Sequence, residues 1–443
     1  MEETKRLLGS VEISPKIIEE TEAQVKNIGG FKKKIQEYIS QNVTYLLDVI
    51  LYGAIKLDAS DVHIEPQEDE ARLRIRLDGI LQDVVFFDYN TYHHLLSRLK
   101  LLSKLKLNIT DKPQDGRFSI EVNDLLIEVR TSSLPAEYGE SIVMRILNPK
   151  SLISLDDLGL RKDLYNTFQK EIEKPNGMII VTGPTGSGKT TTLYAFLKKI
   201  QNPEIKIITI EDPIEYHLKG VSQTQVAPEK GYDFSDGLRS IVRQDPDVIL
   251  VGEIRDLETA KIALQAALTG HLVLSTLHTN DAAGTIPRLV DLGVDPSSIA
   301  SGLKMAVAQR LVRKVCKKCS TPAKPTASEL SEIRKGLKNL PKTIKIPDLE
   351  KIIIAKPKDG GCEACNFTGY KGRQGLFEAF LVDSEMEKFI LTNPPVSSIR
   401  ELAIKKGMIT MYQSGLIDIV LGKTTMEEVM RVVETDVEQT PTE

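Results

Sequence analysis

Residues 183–194, GPTGSGKTTTLY, indicate most directly which fold this chain adopts. Residues 183–190 fit the pattern G-x-x-x-x-G-K-[ST], in which glycines let backbone N–H groups turn inward on phosphate oxygens at the start of a helix. The apolar residues 178–182 precede this loop and predict the strand that such a loop follows. The sequence therefore predicts a site for a nucleoside triphosphate within an α/β domain.

The residues of the predicted phosphate loop have expected contacts with the nucleotide and its Mg²⁺. Lys189 is expected to reach the β- and γ-phosphates, and the Thr190 hydroxyl to bind Mg²⁺. The residues expected to contact the nucleotide are Gly183, Pro184, Thr185, Gly186, Ser187, Gly188, Lys189, Thr190 and Thr191. ATP and Mg²⁺ are therefore the predicted ligands, but the loop alone does not separate a kinase, a switch, a helicase and a motor.

Carboxylates that position the attacking water are expected at the ends of two further predicted strands, because open parallel sheets bind ligands there. The second of these, 248–251, resembles a Walker B strand, but Gly252 stands where the magnesium-binding aspartate is usual. We therefore predict Glu253 as the catalytic carboxylate. Glu215 and Glu211, which follow the first strand, are alternatives, although acidic loop residues are often only solvated.

Composition and charge place the chain among ordinary soluble proteins. It has 443 residues, of which 41% are hydrophobic and 27% charged, and its formal net charge is −4. That charge does not favour nucleic acid or anionic lipid as the main partner. No apolar run approaches the ~18 residues needed to cross a bilayer, and the first residues lack the order of a signal peptide. We expect a cytoplasmic protein that reaches a membrane only through partners.

Changes in composition and in the predicted secondary structure divide the chain into five predicted segments. They are a partly mobile helical lead-in (1–43), a small α+β domain (44–150), the α/β nucleotide domain (151–310), a cysteine-bearing element (311–375) and a helical region with a frayed end (376–443). In the α+β domain, Leu73, Ile75 and Leu77 alternate with arginines before Asp78-Gly79, which predicts a hairpin. A helix over 95–107 and strands near 117–121, 125–131 and 141–147 are expected to follow.

The four cysteines form two C-x₂-C pairs separated by 42 residues: Cys316, Cys319, Cys362 and Cys365. In a reducing compartment this arrangement favours a metal over disulfides. Four thiolates give the closed tetrahedral shell that is typical of structural Zn²⁺. An iron–sulfur cluster and four unligated cysteines are the alternatives.

Several motifs together resemble those of bacterial secretion ATPases. VRQDPDVILVGEIRD (242–256) is similar to their signature stretch, IEDPIEY (210–216) to their aspartate box and TGHLVLSTLHTN (269–280) to their histidine box. Further matches are SDVHIEP (60–66), PQDGRF (113–118), VRTSSLPAEYGESIVMRIL (129–147) and GLIDIVLGKTTMEEVMRVV (415–433). Since the resemblance runs from about residue 44 to the end, the chain is identified as a member of the type II secretion and type IV pilus assembly ATPases, the GspE/PilB family.

The resemblance implies a RecA-like P-loop ATPase core preceded by a small PAS-like α+β domain, with a tetracysteine zinc element and a C-terminal helical region. It also implies a homohexamer that hydrolyses ATP to assemble a type IV pilus or a type II secretion pseudopilus through an inner-membrane platform protein. Such a motor would be peripheral at the inner membrane. Retraction motors of this kind generally lack the four cysteines, which favours assembly. We expect the residues before position 44 to be too few for the N-terminal docking domain of longer relatives.

Two rival functions remain open at this point. A DNA-binding protein could use Arg72, Arg74 and Arg76, but the net charge and the neighbouring acids favour a solvated face, so no nucleic acid is expected. A scaffold could use ATP only to set its shape, and a turnover assay would separate that case.

The resemblance also implies roles for arginines of the α+β domain. Arg117, Arg130 and Arg145 match positions in the arginine-bearing motifs of the family. Arg117 and Arg130 are the ones expected to act on the γ-phosphate, in their own or a neighbouring subunit, with structural ion pairs as the alternative. The arginines within the ATPase core lack a context that aims them at the phosphate loop: Arg239, Arg243 and Arg255.

Three histidines are candidates for function. By resemblance, His278 and His271 are expected to sense the nucleotide or to link the domains, with His278 preferred. His63 lies between Asp61 and Glu65 on one strand face, where a solvated or interdomain surface is favoured over a metal site.

Overall fold

The structure, a computed structural model, describes residues 10–123 and 125–433. The start of the predicted lead-in and the predicted frayed end at the C-terminus lie outside these residues. The chain forms two compact units. The first unit combines Met1–Ser151 with Cys316–Cys319 and Pro357–Lys371, and the second combines Leu152–Val315 with Ser320–Lys356 and Gly372–Glu443. The five segments read from the sequence stay predictions.

The first unit contains a seven-stranded sheet and four helices among its described residues. In chain order its elements are β1 (Ser10–Glu12), α1 (Pro15–Gln24), α2 (Ile28–Tyr38), α3 (Val43–Lys56), β2 (Asp61–Pro66), β3 (Ala71–Leu77), β4 (Ile80–Phe87), α4 (Tyr89–Leu102), β5 (Gln114–Val122), β6 (Leu125–Ala136) and β7 (Gly139–Leu147). The sheet order is β1-β5-β6-β7-β2-β3-β4. The predicted lead-in is therefore not purely helical, since β1 pairs in parallel with β5.

The predicted hairpin is confirmed by the pairing of β3 with β4. Leu73, Ile75 and Leu77 are buried, while the intervening arginines lie on the opposite face. Asp78 and Gly79 both have positive φ, 49° and 88°, as a tight two-residue turn between twisted strands requires. The helix predicted over 95–107 begins earlier, at Tyr89, because the Asp88 carboxylate caps it by accepting a hydrogen bond from the Thr91 backbone N–H at 2.8 Å.

The second unit alternates strands and helices before ending in a helical region. Its elements are α5 (Lys162–Ile172), β8 (Gly177–Thr182), α6 (Lys189–Ile200), β9 (Ile207–Glu211), β10 (Ser222–Gln225), α7 (Phe234–Val242), β11 (Val248–Val251), α8 (Leu257–Leu268), β12 (Leu272–Leu277), α9 (Thr285–Asp291), α10 (Pro296–Gly302), β13 (Leu303–Val315), β14 (Thr321–Ala323), α11 (Ala327–Leu337), β15 (Ile354–Lys356), β16 (Tyr370–Leu381), α12 (Ser384–Ile390), α13 (Val396–Lys405), α14 (Met411–Val420) and α15 (Met426–Met430). The first residues of β16 belong to the first unit.

The large sheet of the second unit has the order β10-β9-β11-β12-β8-β13-β16. Strands β10, β9, β11, β12, β8 and β13 run parallel to one another. Strand β8 is covered on both faces, because Met178 and Ile180 pack in one hydrophobic cluster while Ile179 and Val181 pack in another. β8 lies between β12 and β13, whereas the strand that follows it in the chain, β9, lies three places away. The strand order therefore switches at β8, where α/β sheets bind ligands.

Within the part of the chain that the structure describes, no helix combines the length and the apolar composition needed to traverse a bilayer.

Candidate nucleotide site and tetracysteine cluster

The predicted phosphate loop connects the buried strand β8 to helix α6, as the sequence predicted. Gly183 and Gly188 have φ of 146° and 89°, a region that favours glycine. A Cβ at Gly183 would lie 2.6 Å from the backbone carbonyl oxygen of Gln309, and one at Gly188 would lie 2.8 Å from the side-chain Nε2 of Gln309. The loop thus keeps its narrow turn only with glycine at these two positions.

The loop residues fit a bound phosphate group. Gly188 caps α6 without a side-chain hydrogen bond, so the first N–H groups of the helix remain available to an anion. The Ser187 hydroxyl is buried and finds no hydrogen-bond partner among the described residues. An orphaned donor beside a helix N-terminus is what a triphosphate would satisfy.

Lys189 is held inside the loop. Its ammonium donates hydrogen bonds to the carbonyl oxygens of Gly183, at 2.8 Å, and Pro184, at 3.2 Å. Burial lowers the pKa of Lys189, while the charges of Glu253 and Glu215 act to raise it. Both predicted carboxylates therefore lie near enough to Lys189 to influence its charge.

Glu253 follows β11 and lies at the centre of a small charged group. Its carboxylate pairs with the Arg255 guanidinium and lies 3.4 Å from Nε2 of His278. The Glu253 side chain is 15% exposed, whereas the Arg255 side chain is 62% exposed. The structure thus brings together Glu253, Lys189 and His278, which the sequence had placed in separate motifs.

The absence of an aspartate at Gly252 has a local cause. A Cβ there would lie 3.3 Å from both the Glu211 Cα and the Ile210 carbonyl oxygen. The Gly252 N–H also donates to the Ile210 carbonyl at 2.8 Å. Because β9 and β11 are adjacent here, a side chain at this position would be crowded against the backbone of β9.

Glu211 is less suited than Glu253 to activating water. It is 3% exposed and accepts hydrogen bonds from the hydroxyls of Tyr194 and Thr209 and from the Gln223 amide. These contacts occupy its oxygens and join neighbouring elements of the sheet. Glu215 is half-buried in the following loop and stays the alternative carboxylate.

The two histidines of the histidine box lie at opposite ends of β12. His278 follows the carboxyl end, beside Glu253. His271 precedes the amino end, where its Nδ1 lies 3.0 Å from the Ala266 carbonyl oxygen. The seven residue steps between them correspond to about 23 Å, at a rise of about 3.3 Å per residue. Only His278 is therefore near the phosphate loop.

Two residues beside the phosphate loop were missed by the sequence reading. The Gln309 side chain accepts a hydrogen bond from the Thr192 hydroxyl at 2.7 Å. The Arg310 guanidinium donates to the Asn280 carbonyl at 2.8 Å, and it would lie 3.2 Å from a Cβ at Gly183. The only signal in the sequence was a polar pair inside the apolar run of β13, a strand that the sequence reading did not propose.

In the first unit, the three predicted arginines lie in one row across neighbouring strands. Arg117 of β5 is opposite Arg130 of β6, which is opposite Arg145 of β7. Arg145 pairs with the buried carboxylate of Asp61 at 3.0 Å, and Arg130 lies 3.9 Å from Glu128. Arg117 is exposed and forms no ion pair within the described residues.

The metal alternative for His63 is not supported. Asp61 and Glu65, the acids beside it, are each engaged by arginines: Asp61 by Arg76 and Arg145, and Glu65 by Arg72 and Arg74. Burial lowers the pKa of His63, which favours its neutral form. Among the described residues, only the cysteines form a group of His, Cys, Asp or Glu side chains that could hold a metal ion.

The four cysteines come together within the first unit. Their sulfur atoms all lie within 4.8 Å of one another. The distances from Cys316 to Cys362 and from Cys319 to Cys365 are 3.9 and 3.8 Å. A tetrahedral ion with Zn–S bonds of about 2.3 Å requires sulfur atoms about 3.8 Å apart. These two distances match that separation, so the four sulfur atoms are suited to hold a zinc ion.

The second cysteine turn also contacts the N-terminal helices. The Asn366 side chain accepts a hydrogen bond from the Ile28 backbone N–H, at 2.8 Å, where α2 begins. Asn366 has φ of 51°, as its place after Cys365 in the turn requires. The geometry of the cysteine turn and the start of α2 are thus connected.

Comparison with known proteins gives a consistent result. The family model described as "Type II/IV secretion system protein" matches residues 36–431. The type II secretion system protein E of Xanthomonas campestris pv. campestris is 43% identical over 393 residues, 88% of this chain and 67% of that protein. The type IV pilus assembly ATPase PilB of Thermus thermophilus is 42% identical over 385 residues, 86% of this chain but only 42% of that protein.

Among solved structures, the crystal structure of the pilus retraction motor PilT with bound ADP is similar to this one. The TM-score is 0.59 at 28% sequence identity, and the match covers 88% of this chain and 97% of that chain. The predicted fold class, an α/β P-loop core with an α+β unit and a tetracysteine group, is confirmed.

Proposed function

This chain belongs to the type II/IV secretion system protein family, and on that premise we propose that it is an ATP-hydrolysing motor for the assembly of a type IV pilus or a type II secretion pseudopilus. It would act as a homohexamer on an inner-membrane platform protein, in the cytoplasm and peripheral to that membrane. The observation that supports this most directly is the convergence of Lys189, Glu253 and His278 at the point where the strand order switches.

Each side chain at this point has a chemical task. Lys189 leaves the loop carbonyls to neutralise the β- and γ-phosphates, and Thr190 presents its hydroxyl to Mg²⁺. When bound, Mg²⁺ neutralises charge that develops on the phosphate oxygens. Glu253 orients the attacking water, and His278, whose Nε2 lies 3.4 Å from the Glu253 carboxylate, helps to hold that carboxylate in place.

A turnover assay tests the function. Purified protein with ATP and Mg²⁺ should release inorganic phosphate continuously, over many cycles per chain. A protein that binds ATP but releases no phosphate would instead be a nucleotide-dependent scaffold.

Pilus retraction, in place of assembly, is the second candidate for the direction of the motor. The similarity to the retraction motor PilT covers nearly all of that chain, but at 28% identity it is weaker than the similarity to PilB, at 42%. Assembly is therefore the better-supported direction.

Lys189→Ala is expected to weaken ATP binding and ATP turnover together. The change removes a charge-assisted contact to the phosphates, so each quantity should fall about 10- to 100-fold. Nucleotide titration and phosphate release measure the two effects. Lys198→Ala, at an exposed position on the same helix, is the control and should change neither. Unchanged binding in Lys189→Ala would exclude the loop as the triphosphate site.

We further propose that the cysteine cluster holds one structural zinc ion, and freshly purified, reduced protein should contain about one zinc per chain bound by sulfur. Elemental analysis and X-ray absorption measure the content and the ligands. Cys362→Ser should lose the metal and lower thermal stability. Because Asn366 of the same turn accepts a hydrogen bond from the Ile28 N–H, hydrogen exchange at the start of α2 should also become faster.

The matched control for the zinc prediction is Lys317→Ser, which changes the same turn as Cys316 but keeps all four thiols. It should retain the metal. Reduced wild-type protein without any metal would contradict the proposal. Detection of iron together with inorganic sulfide would show that the cysteines hold an iron–sulfur cluster and not zinc.

A further inference from the structure

The loop that leaves β12, residues 278–284, is attached to the phosphate loop. The Thr279 backbone N–H donates to the Thr182 hydroxyl at 2.8 Å, and the two threonine hydroxyls lie 2.7 Å apart. Thr182 is the last residue of β8, directly before Gly183. With His278 beside Glu253, one end of the loop touches both sides of the candidate nucleotide site.

The other end of the same loop is attached to the C-terminal helices by a single buried carboxylate. Glu378 of β16 is 2% exposed. One of its oxygens accepts a hydrogen bond from the Ala282 backbone N–H at 2.8 Å, and the other accepts one from the Met411 backbone N–H at 2.9 Å. Met411 is the first residue of α14. Glu378 thus bridges the loop and the amino end of a helix.

A second, weaker contact accompanies this bridge. The Asp281 carboxylate accepts from the Gly284 N–H at 2.7 Å and lies 3.7 Å from the Arg400 guanidinium of α13. Within the described residues, Arg400 and Asp281 are the charged groups that act on Glu378. Burial raises the pKa of Glu378, against the two backbone N–H groups that stabilise its charge.

A buried carboxylate is a costly way to join two segments. An apolar residue of similar volume often stabilises a fold as well or better, so stability alone does not account for Glu378. What only a carboxylate provides is two acceptors fixed relative to each other, one for each segment. A shift of the Ala282 N–H therefore has to move Glu378, the Met411 N–H, or both.

We propose that Glu378 is a positioning residue that couples the nucleotide-dependent placement of loop 278–284 to helix α14. The inference rests on the proposed function, since it takes the site beside His278 to be the one that binds ATP. ATP bound at the phosphate loop fixes the positions of Thr182 and Thr279. Loop 278–284 then fixes the position of Ala282, and Glu378 transmits that position to α14. Coupling is reciprocal, so α14 in turn biases the nucleotide site.

The test is hydrogen exchange at the amides of α14 with and without Mg²⁺ and the β,γ-imido analogue of ATP. In wild-type protein the analogue should slow exchange at Met411 by about fivefold or more. Glu378→Gln places an N–H₂ donor against one of the two backbone donors and should abolish that slowing. Its kcat should fall while its KM stays within about twofold, because the phosphate contacts are intact.

Asp418→Asn is the matched control. Asp418 is a buried acid on the same helix, but it pairs with Lys423 at 2.8 Å rather than with the loop. Its variant should keep the analogue-dependent slowing even if its stability is lower. Should Glu378→Gln fail to fold, Thr279→Val tests the other end of the connection, because it removes the hydroxyl contact with Thr182 and should lose the same slowing.

The outcomes separate this inference from the proposed function. Wild-type slowing that persists in Glu378→Gln or in Thr279→Val overturns the coupling, and so does the absence of any slowing when wild-type protein binds the analogue. Slowing that disappears in the variants supports the coupling, even in a protein that releases no phosphate; that last result would contradict only the ATPase.

Discussion

A Glu253→Gln variant is expected to bind ATP like the wild-type protein and to turn it over about 10²- to 10⁴-fold more slowly. Glutamine keeps the size and shape of the side chain but removes the charge that orients the attacking water. Since Lys189 and the loop glycines are untouched, the affinity for ATP should change little. Nucleotide titration measures the affinity, and phosphate release at saturating ATP measures the turnover.

The control for Glu253→Gln is Glu258→Gln, the same chemical change on α8. Glu258 is 56% exposed and pairs with Arg239 at the surface, so turnover should stay at the wild-type rate. If Glu253→Gln turns over ATP normally, the catalytic carboxylate is another one. Glu215, whose charge also acts on Lys189, would be the next to test.

Arg255 lies against the proposed catalytic carboxylate. In the structure it pairs with Glu253, and the Glu253 hydrogen bond raises the pKa of Arg255. The Arg255 guanidinium competes with a water molecule for the Glu253 oxygens, so we expect Arg255 to move aside when Glu253 orients the attacking water. The exposure of Arg255 makes that movement inexpensive, because an ion pair at the surface contributes little stability.

Local patterns in the sequence predicted the parts of the site that depend on neighbouring residues. The phosphate loop, the Asp78-Gly79 turn and the C-x₂-C pairs each follow from the conformation or chemistry of a few consecutive residues. The strand before Glu253 was readable in the sequence as the short apolar run 248–251. The approach of Glu253 to Lys189 followed from the rule that parallel strands bind ligands at one edge, whereas His278 was a candidate by resemblance alone.

The parts that sequence reasoning missed depend on which strands become neighbours. Nothing in residues 303–315 indicates that β13 lies beside β8, yet that pairing places Arg310 at the phosphate loop. Likewise β1 is too short for a pattern, and only its pairing with β5 makes it a strand. Glu378 reads as an ordinary acid in the sequence, and its function as a bridge appears only when two distant N–H groups converge on it.

Arg117→Ala and Arg130→Ala are expected to keep the fold and ATP binding but to lose most turnover. An arginine that neutralises charge on the γ-phosphate in the transition state is worth about 10³-fold or more in rate. The row formed with Arg145 places three like charges side by side, which is unfavourable without anions. Asp61 neutralises Arg145, so Arg117, exposed and without an ion pair among the described residues, is the one best placed to bind an anion. Phosphate release at saturating ATP measures the loss.

Arg76→Ala is the control, since Arg76 lies in the same unit and pairs with Asp61 at 3.1 Å but is not one of the arginines expected to act on the nucleotide. Its turnover should stay near the wild-type value, which separates loss of an ion pair in the first unit from loss of an arginine at the nucleotide. If the arginine comes from a neighbouring subunit, turnover per chain should also rise with protein concentration as hexamers form. Full turnover in both arginine variants would exclude a catalytic arginine from this row, and full turnover in a strictly monomeric preparation would exclude the ring.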